Sequence, residues 1–335
     1  MRELEPLVGT LAGVRVVVLG DLMLDTYVWG DALRISPEAP VPVLEVRSRT
    51  HRPGGAANAA AGVVALGGVA SVGGIVGVDR AADALRAALS ESGMDADGVA
   101  PDPERPTTTK TRFIAAGQQI VRVDEERCEP LSEATEDRLL AWARKQLAGA
   151  DAALLSDYGK GTVTPRVAAS FVSLAVDADV PIVVDPKGTD FAKYAGATVV
   201  TPNLHEARNA SRVRESSDAA LDDVARDLAE LLGGAALLIT RGAAGMRLYI
   251  PGRQPDDVPA LAREVYDVTG AGDTVAGTLA AALGRRIELP LAVRLAAAAA
   301  AAAVAHVGAA RVTPAELRQV LRVGRVEAEH EGRDD

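Results

Sequence analysis

The sequence predicts an α/β fold of three layers, in which a mostly parallel central sheet is covered by helices on both faces and carries a small β lid. Three observations point there. Short Val-, Leu- and Ile-rich runs recur along the chain, and each ends in a polar residue or glycine. Stretches with helical spacing separate these runs. Two further segments break the rhythm by alternating polar and apolar residues. Strands buried on both faces read as continuous apolar runs, and their alternation with helices argues for parallel pairing.

The elements follow in order. "VRVVVLGD" (residues 14–21) is a β-branched run ending in Gly-Asp and reads as a central strand. "GGAANAAAGVVALGG" (54–68) reads as a glycine-led helix, "ASVGGIVG" as a strand and "DRAADALRAALSESG" as a helix closed by glycine. "DAALLSD", "PIVVD", "ATVVTPN" and "AALLITRG" are four more strands. The carboxyl ends of these strands carry Asp21, Asp157, Asp185, Asn203 and Thr240-Arg241. Ligands of open α/β sheets bind beyond those ends. The two exceptional segments are "YVWGDALRISPEAPVPVLEVRSRTHRPGG", with Arg34, Arg47, Arg49 and Arg52, and "TTTKTRFIAAGQQIVRVDEE", with a turn at Gly117. They are read as an antiparallel lid over the site, about residues 26–52 and 107–124; a plain pair of edge hairpins is the alternative. One domain spans 1–325, and the charged tail 326–335 is expected to be disordered.

Composition narrows the function. The apolar fraction is 48% and aromatics are 3%, so a large core must be built from Val, Leu, Ile and Ala. A net charge of -10 disfavours nonspecific binding to nucleic acid or anionic membranes. An anionic substrate would therefore need local positive charge. The single cysteine, Cys128, lies among Glu125, Glu126 and Glu129, which excludes an internal disulfide and disfavours a reactive thiolate. No apolar signal region opens the chain, and the Ala-rich run from Leu295 is short for a membrane span. A soluble cytoplasmic protein is expected.

Several motifs are absent. No G-x-G-x-x-G follows the first strand, "YGKGT" lacks Walker spacing, and no G-x-S-x-G occurs. In "HEARN", Asn209 stands where a zinc-binding helix needs its second histidine.

The stretch "DVTGAGDT" (267–274) places a Gly-Ala-Gly turn directly before a helix. The first N–H groups of a helix have no internal partner, and with the helix dipole they form an anion site. Gly270 and Gly272 permit close approach of a ligand to the backbone around Ala271. Asp273 falls in the first turn, where its ionised form is favoured by ~0.3–1 kcal/mol. A carboxylate beside such a cradle can take a proton from a hydroxyl attacking a phosphoryl group. Alternatively, Asp273 only caps the helix.

"DVTGAGD" resembles the carboxy-terminal signature of the ribokinase-like (PfkB) carbohydrate kinases, and "GGAAN" their amino-terminal one. "GDLMLDTYVWG", "RISPEAPVPV", "LLSDYGKG", "VDPKGTDFAKYAGAT" and "TPNLHEA" narrow the resemblance to the heptose 7-phosphate kinase branch, over roughly residues 10–320. In many bacteria that branch is fused to a nucleotidyltransferase. This chain stops soon after the kinase, so a stand-alone kinase is expected.

The resemblance implies a ribokinase-like fold and ATP-dependent transfer to the anomeric oxygen of D-glycero-β-D-manno-heptose 7-phosphate. It makes Asp273 the base and Gly270, Ala271 and Gly272 the anion hole. Asp25, with Asp21 as a second candidate, would bind sugar hydroxyls over a floor of Gly54, Gly55 and Asn58. Asn203, Leu204, His205 and Glu206 would line the nucleotide site, with Asn203 and Glu206 organising Mg2+ through water. Thr240, Arg241, Gly242 and Gly245 match the nucleotide turn, and the alanines around 297–305 the adenine wall. Asp267, Thr269, Ala303 and Gly308 fall at the positions of a monovalent-cation (K+) loop. Arg34, Arg52, Lys110, Arg112, Arg122, Lys160 and Lys187 are candidates for the sugar phosphate, with Arg112, Lys160 and Lys187 preferred. A homodimer through the lid is implied. The alternatives are a kinase for another sugar such as ribose or fructose 1-phosphate, a silent sugar-binding regulator, and a dehydrogenase.

Overall fold

The apolar run after Val14 becomes the strand around which both cores are built. A computed structural model describes residues 3–213, 220–262, 265–306 and 311–331. In chain order the first elements are α1 (Leu4–Thr10), β1 (Arg15–Gly20), β2 (Leu22–Ile35), β3 (Pro42–Gly55), α2 (Ala56–Ala65), β4 (Val69–Val76), α3 (Arg80–Glu91) and β5 (Asp95–Pro101). There follow β6 (Thr109–Ala115), β7 (Gln118–Glu125), α4 (Glu133–Leu147), β8 (Ala152–Ser156), α5 (Pro165–Asp177), β9 (Ile182–Asp185) and β10 (Val199–Val200). The last are α6 (Leu204–Ala210), α7 (Leu221–Leu231), β11 (Ala236–Thr240), β12 (Met246–Tyr249), β13 (Asp256–Val258), α8 (Ala271–Gly284), α9 (Leu289–Val304) and α10 (Pro314–Glu331).

The central sheet runs β13-β12-β11-β10-β9-β8-β1-β4-β5. It is parallel from β11 to β5, and β12 and β13 add an antiparallel edge. Strand β1 shows why both faces are dry. Val16 and Val18 enter one core, with residues of α2, α8 and α9, while Val17 and Leu19 enter the other, with residues of α4, α5 and α7. Successive side chains of a strand point to opposite faces, so a continuous apolar run demands two covering layers.

On the first face α2 and α8 pack closely. A side chain at Gly277 would lie 2.7 Å from the Ala59 carbonyl oxygen, so only glycine admits this approach. That contact brings the beginnings of the two helices to one place, below the carboxyl ends of the strands.

The two exceptional segments form a separate four-stranded sheet, β3-β2-β6-β7. It is mixed rather than wholly antiparallel, because β2 and β6 run parallel while the β2–β3 and β6–β7 pairs are antiparallel. The chain leaves β3, passes through α2, β4, α3 and β5, and re-enters beside β2 in the same direction. Leu33, Ile35, Val46, Ile120, Val121 and Val123 of this sheet are exposed, as is Val41 just before β3. Helix α10 continues to Glu331 and so takes in part of the tail expected to be disordered; residues 332–335 lie outside the described part. Among the described residues no helix is long and apolar enough to cross a membrane.

Candidate active site

Helix α8 starts at a residue that only glycine adopts without strain. Gly270 has φ 78° and ψ 4°, the left-handed conformation, and the helix follows at once. Asp273 is the third residue of that helix. Its carboxylate does not reach back to cap the turn. Oδ2 accepts from Asn58 Nδ2 at 2.6 Å, and Oδ1 accepts from the Tyr158 hydroxyl at 2.5 Å. The residue is only 6% exposed. Burial pushes its carboxyl up to about 6; the bonds from Asn58 and Tyr158 oppose that rise, the charge of Asp25 adds to it, and Lys110 draws it down. A carboxyl poised near neutrality, with lone pairs left on both oxygens, suits proton abstraction.

The floor beside it comes from α2. Gly55 caps this helix with φ 59°. Gly54 faces Asp25, and a methyl group there would lie 2.6 Å from Asp25 Oδ2. Asp25 pairs with the Arg112 guanidinium at 2.5 Å, and both side chains are largely buried. Arg112 and Arg52 both lie over the Tyr27 ring, at 5.2 and 5.7 Å from its centroid. Asp21 is differently employed. Its carboxylate accepts the backbone N–H groups of Tyr158, Lys160 and Thr162 at 2.8, 3.0 and 2.9 Å, and it is buried. It therefore shapes the loop after β8, and Asp25 is left as the acid that faces the floor.

Just beyond β10, α6 opens with a capping box. Asn203 Oδ1 accepts from the Glu206 N–H at 2.9 Å, and Glu206 Oε2 accepts from the Asn203 N–H at 3.0 Å. Glu206 Oε1 holds Lys187 Nζ at 2.7 Å. Leu204 turns into the second core, and His205 Nε2 bonds Asn209 on the helix surface, so neither faces Asp273 with a polar group. Thr240 bridges to Asn203 at the end of β11. Arg241 pairs with Asp257 at 2.7 Å and starts the turn that Gly242 and Gly245 shape.

The remaining basic candidates separate by partner. Lys160 pairs with Glu126 at 2.7 Å, and Arg122 pairs with Asp124 at 2.9 Å. Lys110 lies over the Tyr158 ring, 5.8 Å from its centroid, and burial holds its ammonium below the usual range. Arg34 is exposed near the tip of the lid.

Two side chains to which no role was assigned from the sequence join the cluster. Tyr158 is one; its place in "SDYGKG", at a strand's carboxyl end, was the available signal. The other is Asp185, whose carboxyl is pushed well above the usual range by burial and by the charges of Asp273 and Glu206, with Lys187 opposing. It stood in the sequence at a strand end, beside the lysine that drew attention.

A phosphate chain fits this geometry. Nothing lies within 4 Å of where side chains of Gly272 and Gly242 would stand, so the backbone is open at both turns. No cluster of three His, Cys, Asp or Glu side chains able to hold a metal occurs among the described residues. Magnesium takes oxygen ligands and dehydrates reluctantly, so Asn203 and Glu206 would hold it through water. In the loop before α8, the Thr269 N–H donates to Asp267 Oδ1 and the Tyr266 N–H to the Val304 carbonyl, beside Ala303; Gly308 lies outside the described residues.

Comparison with known proteins follows the same lines. The profile of the pfkB family carbohydrate kinases matches residues 14–316. The chain is 44% identical over 333 residues to the Bifunctional protein HldE of Trichlorobacter lovleyi, covering 99% of this chain and 67% of that one. It is 47% identical over 308 residues to the protein of the same name from Caulobacter vibrioides, covering 91% and 63%. The chain spans about two thirds of the length of these relatives. Among solved structures, ribokinase of Arabidopsis thaliana with ribose and ATP superposes with a TM-score of 0.72 at 21% identity, over 92% of this chain and 99% of that one. Phosphofructokinase-2 of Escherichia coli with potassium gives 0.74 at 18%, over 92% and 98%. These neighbours show the ribokinase-like fold, and the profile match together with the curated relatives shows that this chain belongs to the pfkB family of carbohydrate kinases.

Proposed function

We propose that the protein transfers the γ-phosphoryl group of ATP to the anomeric O1 of D-glycero-β-D-manno-heptose 7-phosphate, giving the 1,7-bisphosphate for nucleotide-activated heptose synthesis. The observation that carries this reading is the Asp273 carboxylate, buried at the start of α8 between Asn58 and Tyr158. The sugar class rests on the heptose-kinase motifs and on relatives sharing 42–47% identity.

In this mechanism Asp273 accepts the O1 proton as O1 attacks the γ-phosphorus. The bond from that phosphorus to the β,γ-bridging oxygen breaks, and ADP leaves. The N–H groups of Gly270 and Gly272 steady the charge on the transferring oxygens, and that of Ala271, which donates to the Val268 carbonyl at 3.2 Å, would join them on leaving that bond. Asn58 and Asp25 orient the sugar over Gly54 and Gly55. Arg112, from the lid, is the preferred anchor of the sugar phosphate, with Lys160 and Lys187 as further donors at the strand ends. Asn203, Glu206 and the turn of Thr240 to Gly245 hold the nucleotide. Magnesium, when bound, neutralises phosphate charge beside Asn203 and Glu206. A potassium ion would sit in the loop of Asp267, Thr269 and Ala303.

Residues 1–325 are assigned to one cytoplasmic kinase domain, with residues 26–52 and 107–124 as its lid. The exposed apolar side chains of that lid favour a homodimer formed through it.

An ADP-release assay over heptose 7-phosphate, ribose, fructose 1-phosphate and 2-keto-3-deoxygluconate tests the assignment. Heptose 7-phosphate is expected to give the highest kcat/KM, with phosphorus NMR placing the new phosphate on O1. Equal turnover of ribose would remove the substrate from the proposal. The acid limb of kcat is expected near pH 6, since the base must be ionised and its carboxyl is raised to about 6. A kcat that stays flat down to pH 4.5 would contradict an Asp273 base.

A further inference from the structure

The motif "SDYGKG" contributes a lysine to the reading above, but its tyrosine is unassigned. Tyr158 lies two residues past the end of β8, on the loop that Asp21 gathers through the N–H groups of Tyr158, Lys160 and Thr162. A second carboxylate tightens the same loop, since Asp157 Oδ1 accepts from the Gly159 N–H at 2.7 Å. Asp157 is itself held by Lys193 and the Tyr194 hydroxyl, each at 2.7 Å. Six contacts thus fix a short loop, whose product is one side chain aimed at the base. The Tyr158 hydroxyl reaches Asp273 Oδ1 at 2.5 Å, and Lys110 of β6 lies over the ring from the lid side.

We propose that Tyr158 is a positioning residue for the base: its hydroxyl donates to Asp273 Oδ1, fixes the rotation of the carboxylate, and holds it ionised until the sugar hydroxyl arrives. This rests on the reading of Asp273 as base. Tyr158 and Asn58 each take one lone pair on a different oxygen, so the carboxylate plane is set by two bonds. The lone pairs that remain can receive the O1 proton without losing that orientation. The phenol stays protonated throughout. Its burial and the neighbouring Asp273, Asp185 and Asp25 charges push it well above its ordinary range, so it donates and never competes as a base. The charged groups facing Asp273 are Asp25 from β2, Lys110 from β6 and Asp185 from β9. Of these, only Lys110 supports its ionisation. Losing the tyrosine bond removes one of the main contacts that oppose burial and leaves Asn58 and Lys110 to do so.

Tyr158→Phe keeps the ring under Lys110 and removes only the donor. A hydrogen bond to a charged group is worth about 1.5–3 kcal/mol, so kcat is expected to fall roughly 10–100-fold. KM for sugar and for ATP should stay within about threefold, and the acid limb of kcat should move to higher pH. A wild-type kcat with an unmoved acid limb would overturn the proposal. Asp273→Asn is measured alongside. If that variant retains full turnover, the base reading fails and this inference with it; if it is inactive while Tyr158→Phe behaves as wild type, only the tyrosine's role fails. A readout independent of turnover is the Asp273 carboxyl titration by carbon-13 NMR, assigned by its loss in Asp273→Asn. Its midpoint is expected to rise in folded Tyr158→Phe. An unchanged midpoint would show that the bond does not act on the base.

Discussion

Asp273→Asn is expected to lower kcat by about 10²–10⁴-fold and to leave KM for the sugar within a few-fold, because the amide keeps the shape of the carboxylate but cannot accept the proton. Turnover of the variant at the wild-type rate would remove Asp273 from the chemistry. The same substitution carries a stability signature. The folded-state carboxyl lies at about 6 against an ordinary 3.8. Between those values the folded protein binds the proton that the unfolded chain has released, so stability falls as pH rises through that window. The penalty of holding the charge is complete above about pH 6 and absent below about 3.8. It is on the order of 3 kcal/mol at most. Asp273→Asn should therefore be at least as stable as the parent at pH 8, and its advantage should vanish near pH 4. Thermal unfolding at both pH values checks this. An inactive variant that also unfolds more readily at pH 8 would mean the carboxylate is a structural group rather than a strained functional one.

Arg112→Met is the second large effect. Without a substrate, Arg112 is held by Asp25 at 2.5 Å, with side-chain exposures of 13% and 12%. Its cation also rests on Tyr27. Removing it leaves the Asp25 charge enclosed, and breaking such a pair costs about 3–5 kcal/mol when fully buried. The remaining access of both groups to solvent places the loss at the lower end. For binding, the absent guanidinium should raise KM for heptose 7-phosphate about 100-fold while kcat falls less than tenfold, each tenfold being about 1.4 kcal/mol. The comparison that decides is with the unphosphorylated heptose. If KM for both sugars rises equally, Arg112 serves only to hold Asp25, and the sugar phosphate has another anchor.

Much of the site could be read along the chain because its grammar is local. A Gly-Ala-Gly turn followed by an acid and an apolar stretch specifies a helix start, and α8 begins at Ala271 with Asp273 inside it. The alternation of apolar runs and helical spacing is also a local property, and it places Asp21, Asp157, Asp185, Asn203 and Thr240 at the ends of strands or just beyond them. What each of those groups does at that end is a different matter. Asp21 and Asp25 looked alike as candidates, yet one clasps three amides while the other faces an arginine. Lys160 and Lys187 looked alike as phosphate ligands, yet each meets a glutamate, one just after β7 of the lid and one in the first turn of α6. The lid's strand directions were equally out of reach, since pairing β2 with β6 depends on where the chain returns after five intervening elements.

By itself, the sequence determined a two-faced parallel sheet, a glycine turn opening onto an acid-bearing helix, and the family of the chain. These are readable because side-chain period and helix caps are fixed within a few residues of chain. Only the tertiary structure decided which groups surround that acid. Asn58 and Tyr158 lie 215 and 115 residues from Asp273 along the chain. They meet it because α2 and α8 close on each other at Gly277 and because Asp21 folds the β8 loop inward. Packing of this kind depends on the shapes of distant surfaces, which no local pattern records.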